Sequence, residues 1–219
     1  MTTLLIATRN AHKAAEIHAI LGAAFHLLTL KDFPAAPPVV EDAATFAGNA
    51  TKKAAELATW LAGEISNFKF QISNPIFALA DDSGLEVDAL NGAPGVHSAR
   101  FAALDKNENS ADADNNARLL RLMKDVPRER RTARFRCVVA LVEINRQSAI
   151  DNRQLFDGAC EGRIQFSPSG HGGFGYDPLF VPDGFTQSFA EPGEEVKNEL
   201  SHRAKALTKL KIYFSKLPI

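Results

Sequence analysis

Residues 76–84 read Ile76-Phe77-Ala78-Leu79-Ala80-Asp81-Asp82-Ser83-Gly84, an apolar run that passes without transition into two carboxylates, a hydroxyl and a glycine. An unbroken apolar run opened by Pro75 predicts a strand buried on both faces, and the abrupt change predicts that it ends at Ala80 with the acids in the turn beyond. Neighbouring strand residues point to opposite faces, so only one aspartate is expected to enter a given site, and Asp82 is the one lying farther along. Carboxylate oxygens with no histidine or cysteine nearby favour a hard cation such as Mg²⁺, which keeps waters and takes phosphates as ligands. The competing reading is a plain acidic turn built on Ser83 and Gly84. The acids do not fall at EF-hand positions, and Ser83 lacks the glycines of a nucleophile elbow.

Upstream, Thr3 to Ala7 is a short strand-like run, and Asn10 precedes a helical pattern that puts Ala14, Ile17, Ile20 and Leu21 on one face. Thr8, Arg9, Asn10 and Lys13 therefore sit at a strand-to-helix turn, where free backbone N–H groups and the helix dipole favour phosphate. A surface lysine pairing with Glu16 is the bland alternative. Phe25 to Leu30 predicts a second strand, and Pro34, Pro37 and Pro38 an extended loop that leads to Glu41 and Asp42. Thr45 can cap a helix running to about Ala62, with Phe46, Ala54, Leu57, Leu61 and Trp60 packing inward, followed by a connector over 64–75.

Downstream, Asp105 to Asn116 predicts a polar loop feeding a helix whose Leu119, Leu120, Leu122 and Met123 seek burial. Thr132 to Ile144 is the longest strand candidate, Leu155 to Phe166 another, with Gly158 and Gly162 suggesting bulges or bends. Arg128, Arg130, Arg131, Arg134 and Arg136 read as a solvated face. The run Gly170-His171-Gly172-Gly173-Phe174-Gly175 formally matches a dinucleotide fingerprint, but it leads into the strand-like Leu179 to Val181 and not into a helix. Its glycines instead permit close approach to a flat ligand, with Phe174 as a stacking surface. Lys197, Ser201, His202 and Arg203 gather donors at the start of a last helix from about Ser201 to Lys216, which suits an electron-rich ligand.

The whole chain has 219 residues, 45% apolar and 23% charged, with a formal net charge of −1. That balance gives no general attraction to nucleic acid or anionic membranes, so an anion site has to be built locally. No apolar run reaches the length of a membrane helix, which points to a cytoplasmic address. Cys137 and Cys160 lack the spacing of a zinc or redox pair and read as reduced core residues. Strands and helices alternate early and mix later, so a single α/β domain over 1–219 with a mixed sheet flanked by helices fits best.

Taken in order, Thr8-Arg9-Asn10-Ala11-His12-Lys13, the run from Asp81 to Gly95 with Ser98 to Phe101, Gly173 to Pro178, and Ser201-His202-Arg203 resemble the inosine/xanthosine triphosphate pyrophosphatases. The resemblance spans nearly the whole chain. It implies an elongated mixed sheet, two lobes with a cleft, a homodimer and Mg²⁺-dependent cleavage of non-standard purine nucleoside triphosphates to the monophosphate and pyrophosphate. It assigns residues 8 to 13 to the triphosphate, Asp82 to metal and proton acceptance, and Glu41 to metal. Ser83, Phe174, Gly175, Tyr176, Asp177, Lys197, His202 and Arg203 fall to substrate. Two stretches depart from the family's pattern: Ala43 and Gly48 stand where a glycine and a second glutamate are usual, and 64–75 is long. A pyrophosphatase of different base preference, or a nucleotide-binding module without catalysis, is the alternative.

Overall fold

The computed structural model describes residues 1–67, 76–104, 108–144 and 153–217. The elements are β1 (Thr3–Ile6), α1 (Ala11–Leu21), β2 (His26–Thr29), α2 (Phe46–Asn67), β3 (Ile76–Val87), α3 (Asp112–Leu122), β4 (Thr132–Glu143), β5 (Arg153–Ile164), β6 (Phe180–Pro182), α4 (Glu194–Leu200) and α5 (His202–Ser215). The strands order β2-β1-β3-β4-β5-β6 in one sheet. β1 runs parallel to both β2 and β3, whereas β6 runs antiparallel to β5, so the sheet is mixed and the α/β class stands.

Local chemistry sets the helix starts. The Asn10 side-chain oxygen accepts from the N–H groups of His12 and Lys13 at 2.9 and 3.1 Å, and the Thr45 hydroxyl accepts from Gly48 N–H at 3.0 Å. Each cap satisfies amides that the first turn leaves without carbonyl partners.

The chain forms two compact units: the first comprises 1–82, 138–157 and 206–219, the second 83–137 and 158–205. In the first, Leu4, Leu5, Ile6, Ile17 and Leu79 are at most 1% exposed, and the Phe214 ring meets Phe25 and Phe77 edge-on at 5.1 and 5.2 Å. Phe46, Ala54, Leu57 and Leu61 of α2 are buried as their spacing requires, and Trp60 packs its ring against Phe33. In the second, Leu85, Val87, Phe101, Leu119, Met123, Phe135, Leu179 and Phe180 form one cluster. There Phe135 stacks on His202 at 4.9 Å between ring centroids and meets Phe180 at a tilt, 4.7 Å away.

Several expectations change. β3 does not stop at Ala80 but continues through Val87, because Asp81 and Asp82 find side-chain partners that let a strand carry them inside. α2 runs to Asn67 instead of Ala62, and residues 68–75 of the expected connector lie outside the described residues. α3 begins at Asp112, so Asn115 and Asn116 are buried helical residues and not part of a loop. A separate short helix, α4, precedes α5 and carries Lys197, which therefore does not open the last helix. Gly162 makes no bulge argument necessary: a side chain there would strike the Val181 carbonyl, so the glycine lets β6 approach β5.

Arg131 departs most from the solvated face. It is 2% exposed, and its guanidinium donates to the carbonyls of Ile164, Met123, Val126 and Gln165 at 2.8 to 3.2 Å while lying over the Phe166 ring. One planar fork thus ties the end of α3, the entry to β4 and the exit of β5. Arg134 and Arg136 do face outward, Arg134 onto Asp88 and Glu161, Arg136 onto Glu86. Replacing Arg131 with Met removes the donors and strands several buried acceptors, so Arg131→Met is expected to lower unfolding free energy by about 2–4 kcal/mol. A urea titration with an unchanged midpoint would contradict that role.

Candidate active site

Asp81 and Asp82 are 3% and 5% exposed, consecutive on β3 and turned to opposite faces. Each meets a lysine from a different helix. Lys13, in the first turn of α1, places Nζ 3.2 Å from Asp81 Oδ2. Lys53, inside α2, places Nζ 3.6 Å from Asp82 Oδ1 and 3.2 Å from Glu41 Oε2. Lys13 therefore turns to β3, which the pattern of charges along α1 does not reveal.

Burial pushes the Asp82 carboxyl up to about 6; Lys53, Lys13 and the Asn49 amide pull it down, and Glu41 adds to the rise. Burial also opposes the Lys53 ammonium, yet Asp82, Asp81 and Glu41 together hold it above the ordinary lysine value. Both aspartates thus act on Lys53, although only Asp82 is bonded to Asn49.

Asn49 is fully buried and uses both ends of its amide. Nδ2 donates to Asp82 Oδ2 at 3.0 Å, and Oδ1 accepts from Ala43 N–H at 2.9 Å. One side chain thus orients Asp82 and anchors the loop that presents Glu41. The two departures from the family pattern prove to be matched: a Cβ at Gly48 would stand 2.7 Å from the Ala43 methyl, so Ala43 requires a glycine there. Asn49 and Lys53 were missing from the sequence reading. Their i, i+4 spacing on α2 put them on one face, but the loop that makes this face functional is not visible in the periodicity.

At the mouth of α1, Arg9 donates to the buried Ala36 carbonyl at 2.7 Å and Thr8 Oγ1 accepts from Asn10 N–H at 3.1 Å. Ala11 and His12 are exposed on the first turn. The described residues contain no group of three His, Cys, Asp or Glu side chains placed to hold a metal, and the donors they bring together here are the paired carboxylates of Glu41 and Asp82. That donor set fits Mg²⁺, which takes one or two carboxylates and fills its octahedron with water and phosphate oxygen. Glu41 and Asp82 both face the Lys53 ammonium, which shows that a cation is accommodated between them.

In the second unit, the glycine-rich loop turns through Gly170, Gly173 and Gly175 at φ of 80, 71 and 64°. A side chain at Gly173 would collide with the Asp177 carboxylate. Asp177, 2% exposed, accepts from Phe174 N–H at 2.8 Å and from Lys197 Nζ at 2.5 Å. The Phe174 ring is half-buried, with Lys197 Nζ 4.4 Å and Arg203 Cζ 5.9 Å from its centroid. Arg203 is 1% exposed and donates to Ser83 Oγ at 2.8 Å. Tyr176 is buried with its hydroxyl donating to the Ser98 carbonyl, and burial raises its pKa. Phe174, Asp177, Lys197 and Arg203 are brought together, and Ser83 joins them through Arg203, while His202 stacks on Phe135.

The Lys53 ammonium compensates two buried or half-buried acids, so Lys53→Met is expected to lower stability by about 3–5 kcal/mol. Added Mg²⁺ should recover more of the thermal midpoint for this variant than for the wild type. Equal midpoints in the absence of metal would show that the ammonium carries no such burden.

The model of the Ham1 family matches residues 4–213. Relatives named dITP/XTP pyrophosphatase are 48% identical in Geobacter sulfurreducens, over 96% of both chains, and 46% identical in Desulforamulus reducens, over 94% of this chain and 92% of that one. The solved structure of a HAM1 protein from Coxiella burnetii superposes with a TM-score of 0.79 at 32% identity, covering 99% of this chain and all of the other. A nucleoside-triphosphatase, dITP/XTP pyrophosphatase, from Mycobacterium abscessus gives 0.70 at 37% identity, covering 99% of this chain and 100% of that one. With a family match that runs from the first strand into the last helix, and relatives of 46 and 48% identity over nearly its whole length, this chain belongs to the Ham1 family.

Proposed function

We propose that the chain hydrolyses non-standard purine nucleoside triphosphates, ITP, dITP and XTP, to the nucleoside monophosphate and pyrophosphate. The observation that carries the reading is the set of Asp81, Asp82, Glu41, Lys13 and Lys53, acids paired with ammonium groups on both sides of β3, with Lys13 in the first turn of α1. Neutral folding chemistry gains little from such a cluster, whereas a phosphate and a divalent cation use every member. The names of the relatives from Geobacter sulfurreducens and Desulforamulus reducens support the same substrate class.

In this reading Thr8, Arg9, Asn10, Ala11, His12 and Lys13 hold the triphosphate, partly through α1 amides. Glu41 and Asp82 hold Mg²⁺, which when bound neutralises phosphate charge and lowers the pKa of water. Asp82 accepts a proton from the attacking water. The water oxygen bonds to the α-phosphorus as the bond from that phosphorus to the bridging oxygen breaks, and pyrophosphate leaves with that oxygen. Lys13, steadied by Asp81, offsets charge on the departing group. Asn49 keeps Asp82 in the required rotamer.

Phe174 offers a ring for the base, and Ser83, Gly175, Tyr176, Asp177, Lys197, His202 and Arg203 frame base and sugar. Inosine and xanthosine carry an acceptor at O6, where adenosine carries an amino donor. Arg203 and Lys197 would meet a donor where O6 offers them an acceptor, a discrimination of roughly 10³ to 10⁵-fold against ATP. A homodimer acting in the cytoplasm belongs to the same reading; among the described residues no helix is long and apolar enough to cross a membrane.

Pyrophosphate release from a nucleotide panel, with and without Mg²⁺, tests the proposal directly: dITP and XTP should be cleaved only with metal, and ATP hardly at all. Asp82→Asn preserves shape while removing a ligand charge and the proton acceptor, so turnover should fall about 10²-fold or more. Tight nucleotide binding without product release by the wild type would instead mark a non-catalytic binding module.

A further inference from the structure

We infer that Asp112 and Asn116 of α3 are positioning residues for base binding, because together they hold the peptide that carries Phe174. This assignment rests on the proposed nucleotide reading and adds to it two residues that touch neither metal nor phosphate. Asp112 and Asn116 are spaced i, i+4 and so project from one face of the helix. Asp112 Oδ2 accepts from Gly175 N–H at 2.6 Å, and Asn116 Nδ2 donates to the Gly175 carbonyl at 3.0 Å. One residue is thereby gripped at both its donor and its acceptor. On the other side of the ring, Phe174 N–H donates to Asp177.

The grip matters because of what surrounds Phe174. Gly173 and Gly175 both adopt positive φ, 71 and 64°, where glycine is free to rotate and other residues are strained. An aromatic ring between two such residues has no intrinsic orientation. Its place is set by bonds to three successive peptides: Asp177 accepts from Phe174 N–H, Asp112 from Gly175 N–H, and Asn116 donates to the Gly175 carbonyl. A ring so held is ready for a base without an ordering cost at the moment of binding.

Asn116 carries a second sign of this role. It is 8% exposed, and its Oδ1 finds no hydrogen-bond partner among the described residues. A buried acceptor left in that state lowers stability, so packing alone gives no reason for an amide at this position. The side chain is explained by the donor it offers to Gly175.

The test uses the full-length enzyme and two probes, dITP and inorganic tripolyphosphate, which has the anhydride chain but no base. Asn116→Ala is expected to raise KM for dITP about 5- to 50-fold, in line with the loss of one base stacking contact, with kcat changed by less than about 3-fold. The inhibition constant of tripolyphosphate should stay within about 2-fold of wild type, because nothing in this grip meets phosphate. If Asn116→Ala does not fold, Asp112→Ala carries the test, since that side chain is exposed; Asp112→Asn keeps an acceptor for Gly175 N–H and should restore KM. An unchanged KM in Asp112→Ala, or a rise shared equally by tripolyphosphate, overturns the assignment. Failure of the wider reading is seen separately and earlier: wild-type enzyme would then release no pyrophosphate from dITP, and the assignment would fall with it.

Discussion

Burial of two consecutive carboxylates in β3 is the constraint to which the first unit is built. An uncompensated charge in a protein interior costs several kcal/mol, and two of them would consume much of the 5–15 kcal/mol by which a typical domain is stable. The strand can carry Asp81 and Asp82 only because α1 delivers Lys13 to one and α2 delivers Lys53 and Asn49 to the other. The cap at Asn10 fixes where α1 starts and therefore where Lys13 reaches; the match of Ala43 to Gly48 fixes how the Glu41 loop closes on α2. Apolar residues of the same volume would stabilise such a core as well or better, so stability alone does not account for the cluster.

The second unit solves a related problem with a different balance. Asp177 and Lys197 are both nearly inaccessible and lie 2.5 Å apart, so the ammonium nearest the Phe174 ring is compensated by a carboxylate, while the Arg203 guanidinium stands farther off at 5.9 Å from the ring centroid. Arg203 is directed to Ser83, the residue after Asp82. The acid that ends the first unit and the hydroxyl that begins the second are joined by one peptide bond, so a displacement of β3 would disturb both.

Much of the fold was legible because it follows from short-range signals. Asn10 and Thr45 announced helix starts, the apolar spacing of α2 gave its buried face, and Thr132 to Ile144 stood out as the longest strand candidate. What failed had a common cause. The end of β3, the burial of Arg131 and the role of Lys53 depend on partners distant in sequence, and a charged residue whose partner is unseen reads as solvent-facing. α4 was missed because Val196 and Leu200 give seven residues too little apolar periodicity to register as a helix. The same logic divides the candidate site. Residues in dense motifs, such as Asp81 to Gly84 and Gly173 to Asp177, stood out, while Asn49 and Lys53 lay in an ordinary helix.

The glycine-rich loop shows why rigidity and sequence signal can part company. Close packing forbids side chains at Gly170 and Gly173, where a Cβ would meet the Ala190 backbone or the Asp177 carboxylate, so the loop is composed of residues with the least conformational preference. Its own sequence therefore predicts looseness. Its stiffness comes from polar side chains that grip its peptides: Asp177 within the turn, and from outside it Asp112 and Asn116 on α3 and Ser188, whose Oγ reaches the Ser169 carbonyl. A loop held in this way can be thin enough to admit a planar ligand and still present Phe174 in one place, a combination that bulky, self-stiffening residues would exclude.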